Sequence, residues 1–495
     1  MEGLERKWWT LIAVCTAIFM LLLDITVVNV ALPDMQRDLD ASFAQLQWVV
    51  DAYALTLATT VLAAGSLADI FGRRRVFTMG LVLFTAASFA CGIANDAGLL
   101  IAARALQGVG GGIMFAVSLA LLANAFHGRD RGTAFGIWGA TTGAAVAIGP
   151  LVGGILTEWA GWRWIFFVNI PIGAAAIVVT LLRVDESKNP DQARVDWLGT
   201  AALTGSLFLL VYGLLQGNED GWTSTLILFC LIGAAVLMVT FALIELSRRD
   251  PMLDIRLFRG PRFVGAQVAA FSISASIFAA FLYLTLYLQN VLGYSPLAAG
   301  LRFLPLSLAA FVVAAISGNL TSRVSARWLM GAGLAIIGVS LLLMTRIDAD
   351  SGWTLLLPGF VLGGIGIGLT NPALASTAVS VVTPERSGMA SGTNSTFRQV
   401  GIATGIAGLG ALFQTTIASK LTLPDGTAPG HDLVAAVASG AFPPGIAPQA
   451  RTAFVDSLGS ILTIAAIVAL AGAVLVIVLL RGLEPPGGHA SAPSE

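Results

Sequence analysis

Apolar runs about twenty residues long recur along the whole chain, and this pattern limits the fold more than any other feature. They lie at about 8–31, 45–66, 76–95, 98–123, 133–157, 163–183, 197–216, 222–245, 263–290, 296–320, 328–346, 353–381, 388–417 and 453–480. A helix needs about 20 apolar residues to cross the hydrocarbon core of a bilayer, so each run is predicted to be one span. That gives fourteen. Composition leaves no soluble alternative: 56% of the 495 residues are hydrophobic and 11% charged, against roughly 25% charged in an average soluble domain. A soluble protein of this size could not hide so much apolar side chain, because much of its area must still face water. The expected class is an all-α integral membrane protein with lipid as its main solvent.

Orientation follows from the basic residues. If the N-terminus is cytoplasmic, 19 of the 27 Lys and Arg fall in inner loops and tails, six outside and two (Arg104 and Arg398) within spans. The positive-inside rule then places both termini in the cytoplasm. Trp8, Trp9, Trp159, Trp162, Trp164, Trp197, Trp222, Trp328 and Trp353 stand near the ends of runs, where an interfacial belt is expected. The first run continues past Asn29 with no small-residue cleavage site, and reads as a retained helix.

Several functions are disfavoured at this stage. A net charge of −1 with no basic domain argues against nucleic acid as a partner. Cys15, Cys91 and Cys230 sit singly in apolar runs, so no disulfide framework is expected, and the three scattered histidines make no metal set. The chain carries no G-x-x-x-x-G-K-[ST] loop for nucleotide and no pairing of nucleophile with base. Neither ATP coupling nor an enzyme is expected, and no cofactor beyond protons.

A weak internal repeat divides the chain. Residues 65–75, from Gly65 through Asp69 and Gly72 to Arg75, have a decayed echo at 318–327, and Arg131-Gly132 is echoed by Arg386-Ser387-Gly388. The two offsets, 253 and 255 residues, agree. The simplest architecture is a six-helix half at 1–195, an inserted two-helix hairpin at 196–250, a second six-helix half at 251–480 and a disordered cytoplasmic tail at 481–495. The Pro- and Gly-bearing stretch 417–450 is expected to be a mobile outer loop, with a lid over a cavity as the alternative.

Four motifs in order carry a resemblance. Helix 1 ends in Leu23-Asp24-Ile25-Thr26-Val27-Val28-Asn29-Val30-Ala31-Leu32-Pro33, and residues 65–75 match a loop pattern G-x-L-a-D-r-x-G-r-r. Leu100, Arg104, Gln107, Gly108 and Gly110 fit a helix 4 pattern, while Gly136, Gly149, Pro150, Gly153 and Gly154 fit a helix 5 pattern in which Ala145 replaces one glycine. On these residues the chain resembles the major facilitator superfamily, in particular its fourteen-helix drug:proton antiporter branch. The resemblance implies multidrug efflux from a bacterial cytoplasmic membrane. It also implies that Gly65, Asp69, Gly72, Arg73 and Arg74 latch the two halves together, and that Gly149, Pro150, Gly153 and Gly154 bend helix 5 at the interface of the halves.

The residues themselves point to proton chemistry. Asp24 lies about 10 Å below the outer surface, at 1.5 Å per residue, and Asp51 and Arg104 about 9 Å, so all three are expected in one layer. Burial, a neighbouring cation and a second acid pull on a carboxyl group in opposing ways, and intramembrane ionisable residues are functional by default. A static Asp–Arg pair that merely neutralises a buried charge is the alternative. Asp24 is favoured as proton carrier, with Asp51 serving either the proton or a cationic part of the substrate. Arg398, near the midplane, is expected to face the cavity or a polar neighbour such as Gln399 or Asn394, in a substrate or packing role; Arg302 is treated alike. Asp69 is expected to pair with a helix N-terminus.

Together these expectations describe a monomeric, proton-driven exporter working by alternating access on a lipophilic small molecule, a monovalent cation or neutral compound. An exporter of an endogenous metabolite or self-made antibiotic is the closest alternative. A proton-coupled importer and a non-transporting sensor are weaker rivals.

Overall fold

The computed structural model describes residues 5–126, 128–187, 196–217, 221–248, 253, 255–320, 324–348, 351–380, 387–423 and 427–481. The chain is built of helices. In order they are α1 Arg6–Leu39, α2 Phe43–Phe71, α3 Arg73–Gly92, α4 Ala97–Ala125, α5 Gly128–Ala160 and α6 Trp164–Arg183, followed by α7 Trp197–Gln216 and α8 Thr225–Ser247. Then come α9 Pro261–Val291, α10 Pro296–Leu320, α11 Ala326–Met344, α12 Leu357–Ser380, α13 Ser387–Lys420, the short α14 His431–Ala438 and α15 Ala447–Leu479. Among the described residues, twelve helices are long and apolar enough to cross a membrane. The two other predicted spans fall on α2 and α5, helices of 29 and 33 residues.

Helix starts are encoded locally. The Ser42 hydroxyl accepts from the Gln45 N–H while the Gln45 side chain accepts from Ser42 N–H, a reciprocal cap that sets α2. Asp96 caps α4 through the Leu99 N–H at 2.8 Å. Between α2 and α3, Gly72 turns the chain at φ +106°, a region open chiefly to glycine.

The helices pack as two groups with a similar pattern. In the first, α2 and α3 pack on α4, and α1 packs on α5 and α6; in the second, α10 and α11 pack on α12, and α9 packs on α13 and α15. The groups meet along two seams, α2 against α13 and α5 against α10. Helix α7 lies across the first seam, with Leu203, Leu207 and Val211 in one apolar cluster with Leu55 of α2 and Ala403 and Ala407 of α13. Trp48 of α2 stacks beside Phe208 and Tyr212 of α7.

At the end of the bundle opposite the termini the groups are joined by polar contacts. Gln289 of α9 donates to the Val30 carbonyl of α1 at 2.7 Å. The Glu158 carboxylate of α5 accepts from Ser295 Oγ at 2.6 Å and from the Leu297 N–H at 3.1 Å. This end is closed.

One expectation holds and one changes. The apolar run 163–183 forms the single span α6, with a turn at Val168 between Trp164–Phe167 and Asn169–Arg183. The mobile loop expected at 417–450 is largely ordered: α13 continues to Lys420, α14 buries Val434, Val437 and Ala438, and α15 begins at Ala447. The spacing of those three apolar residues gives α14 one buried face, and Gly440 at φ +84° turns the chain after it. The tail expected to be disordered, beyond Arg481, lies outside the described residues.

Candidate functional site

Helices α1, α3, α4 and α6 each bring a polar side chain to one buried point. Asp24 of α1 and Arg104 of α4 are 2% and 1% exposed. Arg104 Nη1 donates to Asp24 Oδ2 at 2.5 Å and to Gln107 Oε1 at 2.8 Å, while its Nε donates to the Val49 carbonyl of α2 at 3.1 Å. The other carboxylate oxygen, Oδ1, accepts from Gln107 Nε2 at 2.9 Å and from Asn169 Nδ2 at 3.1 Å. Ser88 of α3 closes the ring: its hydroxyl accepts from Gln107 and Asn169 and donates to the Phe166 carbonyl. The guanidinium carbon sits 4.1 Å from the Tyr53 ring centroid, a cation–π contact strengthened by desolvation. Three donors thus compensate an ionised carboxylate in surroundings where an unpaired one would be costly.

Asp51 does not join this ring, although a shared layer was expected for it. It is fully buried on α2, and both carboxylate oxygens lack a hydrogen-bond partner among the described residues. The two acids sit on different helices, and their side chains face different neighbours. Asp24 looks into the first group. Asp51 lies within electrostatic reach of Tyr283 on α9 of the second.

Between the groups, Ile25, Tyr53 and Arg104 on one side and Gln399 and Ile402 on the other line a small cavity of about 20 Å³, room for about one water. Arg104 therefore stands at the boundary between the pair with Asp24 and the crevice.

The remaining expected residues lie elsewhere. Arg398 donates to Asn371 Oδ1 of α12 at 2.5 Å; the expected partners, Gln399 and Asn394, are not the ones it uses, because the side chain reaches across to the neighbouring helix. Arg302 donates to its own helix at Ala298 and lies over the Tyr294 and Trp353 rings. Gly149 and Gly153 of α5 let α1 approach at Thr26 and Val27, and Gly154 lets α10 approach at Pro296 and Leu297 across the seam. Helix α5 runs on through Pro150, whose side chain is outside the described set.

At the opposite end, Arg73 and Arg74 contact the segment after α6. The Arg73 N–H donates to the Ser187 carbonyl, the Arg74 N–H to Glu186 Oε1 at 3.0 Å, and Arg74 and Arg75 pair with the same carboxylate. The Glu186 carboxylate caps the N-terminus of α3. The side chain of Asp69 lies outside the described residues, and Gly65 has open space around it. Sequence reasoning missed Asn169, Ser88 and Glu186. A lone Asn inside an apolar run was the available signal for the first.

Comparison with known proteins settles the family. The major facilitator superfamily model matches residues 14–406. The chain belongs to that superfamily. It is a multi-pass membrane transport protein, not an enzyme. It is 38% identical to the multidrug resistance protein Stp of Mycobacterium tuberculosis over 83% of this chain and 77% of that one. To the tetracenomycin C resistance and export protein of Streptomyces glaucescens it is 32% identical over 97% and 93%. In fold the superfamily member matches the crystal structure of a bacterial homologue of the human lysosomal transporter Spinster, at a TM-score of 0.64 and 16% identity, over 96% of this chain and 97% of that one.

Proposed function

We propose that this transporter exports lipophilic drug-like compounds across a bacterial cytoplasmic membrane in exchange for protons, by alternating access. In this reading α2 and α5 bring the spans to fourteen, divided at 1–195, 196–250 and 251–480, with both termini cytoplasmic and the chain a monomer. The closed end is then the outer one.

The observation that carries the reading is the Asp24–Arg104 pair, buried among three further donors and acceptors beside the crevice between the groups. A proton reaching Asp24 removes the charge that Arg104 balances. The guanidinium is then free to turn toward the crevice, where Tyr53 already supports it. Loss of the proton to the other side restores the pair. Asp51, buried without a compensating donor among the described residues, suits a second protonatable group or the seat of a cationic substrate. Relatives named for multidrug resistance and for antibiotic resistance and export support export as the direction.

A second reading, export of a self-made antibiotic, is favoured by the length match to the tetracenomycin C protein, which covers nearly all of both chains. One experiment separates the readings: efflux of a panel of lipophilic dyes and antibiotics of several classes from cells with and without the protein, before and after the pH gradient is collapsed. Broad efflux that stops with the gradient supports the first reading. Efflux restricted to one antibiotic class supports the second, and efflux indifferent to the gradient contradicts proton exchange.

A further inference from the structure

The seam between α2 and α13 is held by a small polar set that no motif marks. Gln47 lies one helical turn before Asp51 and on the same face of α2. Its Nε2 donates to the Ile406 carbonyl of α13 at 3.2 Å and lies 3.5 Å from the Tyr283 hydroxyl of α9. Tyr283 donates to the same carbonyl at 2.8 Å. Gln47 and Tyr283 are 4% and 0% exposed. The seat depends on Gly410, one turn along α13: a Cβ there would lie 2.2 Å from Gln47 Nε2 and 2.9 Å from the Tyr283 hydroxyl. Two donors therefore converge on one carbonyl, and one of them lies a helical turn from a buried carboxyl group that has no donor among the described residues.

The two cations within the neighbouring spans, among the described residues, bond elsewhere. Arg104 of α4 holds Asp24, and Arg398 of α13 holds Asn371. Helix α7 presents Tyr212 against Trp48, and α9 presents Tyr283. An ionised Asp51 thus has Gln47 and Tyr283 as its candidate donors.

We propose that Gln47 and Tyr283 are positioning residues that report the charge on Asp51 to the seam. While Asp51 is neutral, both donors stay on the Ile406 carbonyl and tie α2 to α13. When Asp51 gives up its proton to crevice water, the carboxylate draws these donors to itself, the cross-group bond is lost and the closed end loosens. A ligand that shifts such an equilibrium does so only through a difference in interaction between the two states, and here that difference is the ownership of two hydrogen bonds. The inference rests on the exporter reading for Asp51, but its test needs no substrate.

The test is a distance measured between spin labels at Arg37→Cys and Ser419→Cys, in purified protein in nanodiscs across pH 5 to 9. In the parent protein the separated population should rise with pH, and Asp51→Asn should hold it closed throughout. Gln47→Leu and Tyr283→Phe should raise the separated population at low pH about fivefold, the effect of one lost hydrogen bond, and flatten the pH response. Gly410→Ala should do the same by displacing Gln47 while leaving every hydrogen-bonding group present. A pH response unchanged in all three variants would overturn the proposal, as would one unchanged in Asp51→Asn. Because neither substrate nor gradient enters, failure of proton-driven efflux would sink the exporter reading without touching this result.

Discussion

Asn169 of α6 donates to the Asp24 carboxylate at 3.1 Å, on the oxygen that Arg104 does not bond. The ion pair is therefore one side of a four-helix junction, and its strength depends on a neutral amide that contributes no charge. Hydrogen bonds to charged groups are worth about 1.5–3 kcal/mol. Asn169→Ala should lower stability by about that amount, because it removes one donor from a buried carboxylate and leaves Ser88 short of a partner. Thermal unfolding in detergent measures it, and Asn169→Ala in an Asp24→Asn background should cost clearly less.

Arg104→Lys should fail to substitute. The guanidinium serves Asp24, Gln107 and the Val49 carbonyl together from two nitrogens while stacking on Tyr53. An ammonium is a compact point charge that cannot hold that geometry. Efflux should fall at least tenfold, with surface expression retained, in whole-cell dye assays.

At the motif loop, Glu186→Ala removes the acceptor for the Arg74 N–H and the partner of Arg74 and Arg75. Charge at a helix N-terminus contributes about 0.3–1 kcal/mol and is screened by salt. The variant should be mildly less stable at low ionic strength, and the difference should shrink in 1 M salt. Gly72→Ala should be worse, since its positive φ and the approach of Glu186 both exclude a Cβ.

The α5 glycines make a sharper pair of tests. A Cβ on Gly149 would lie 1.8 Å from Thr26 Oγ1, so Gly149→Ala should cost about 1–3 kcal/mol by overpacking. Thr26→Ala in the same chain should recover only part of it: it removes the hydroxyl, whose described bonds are to Leu22 and Leu23 of its own helix, but keeps a Cβ 2.6 Å from the new one. Gly154→Ala instead obstructs α10 across the seam and should favour separation of the closed end, read by the same spin-label distance.

A bundle of membrane-length helices and the buried acids of α1 and α2 could be read from the sequence, because a charge in an apolar run stands out. What each acid faces could not. Helices α1 and α2 are apolar nearly all round, so no stripe marks an inner face, and Asp24 and Asp51 look alike in depth while pointing to different groups. Asn169 was invisible as a ligand for a related reason: its contact exists only because α6 packs beside α1. Glu186 lies after α6, more than a hundred residues from the loop it clamps, and no local pattern announces that return. In α14 the failure was different, as prolines and glycines on both flanks masked a short amphipathic turn.

The central claim is that protonation of Asp24 is coupled to the movement of substrate. Proteoliposomes carrying Asp24→Asn should still equilibrate a transported dye down its own gradient. Under an imposed pH gradient they should fail to concentrate it, whereas vesicles with the parent chain should concentrate it and release it when the gradient is collapsed. Uphill transport by Asp24→Asn within twofold of the parent rate would contradict the account.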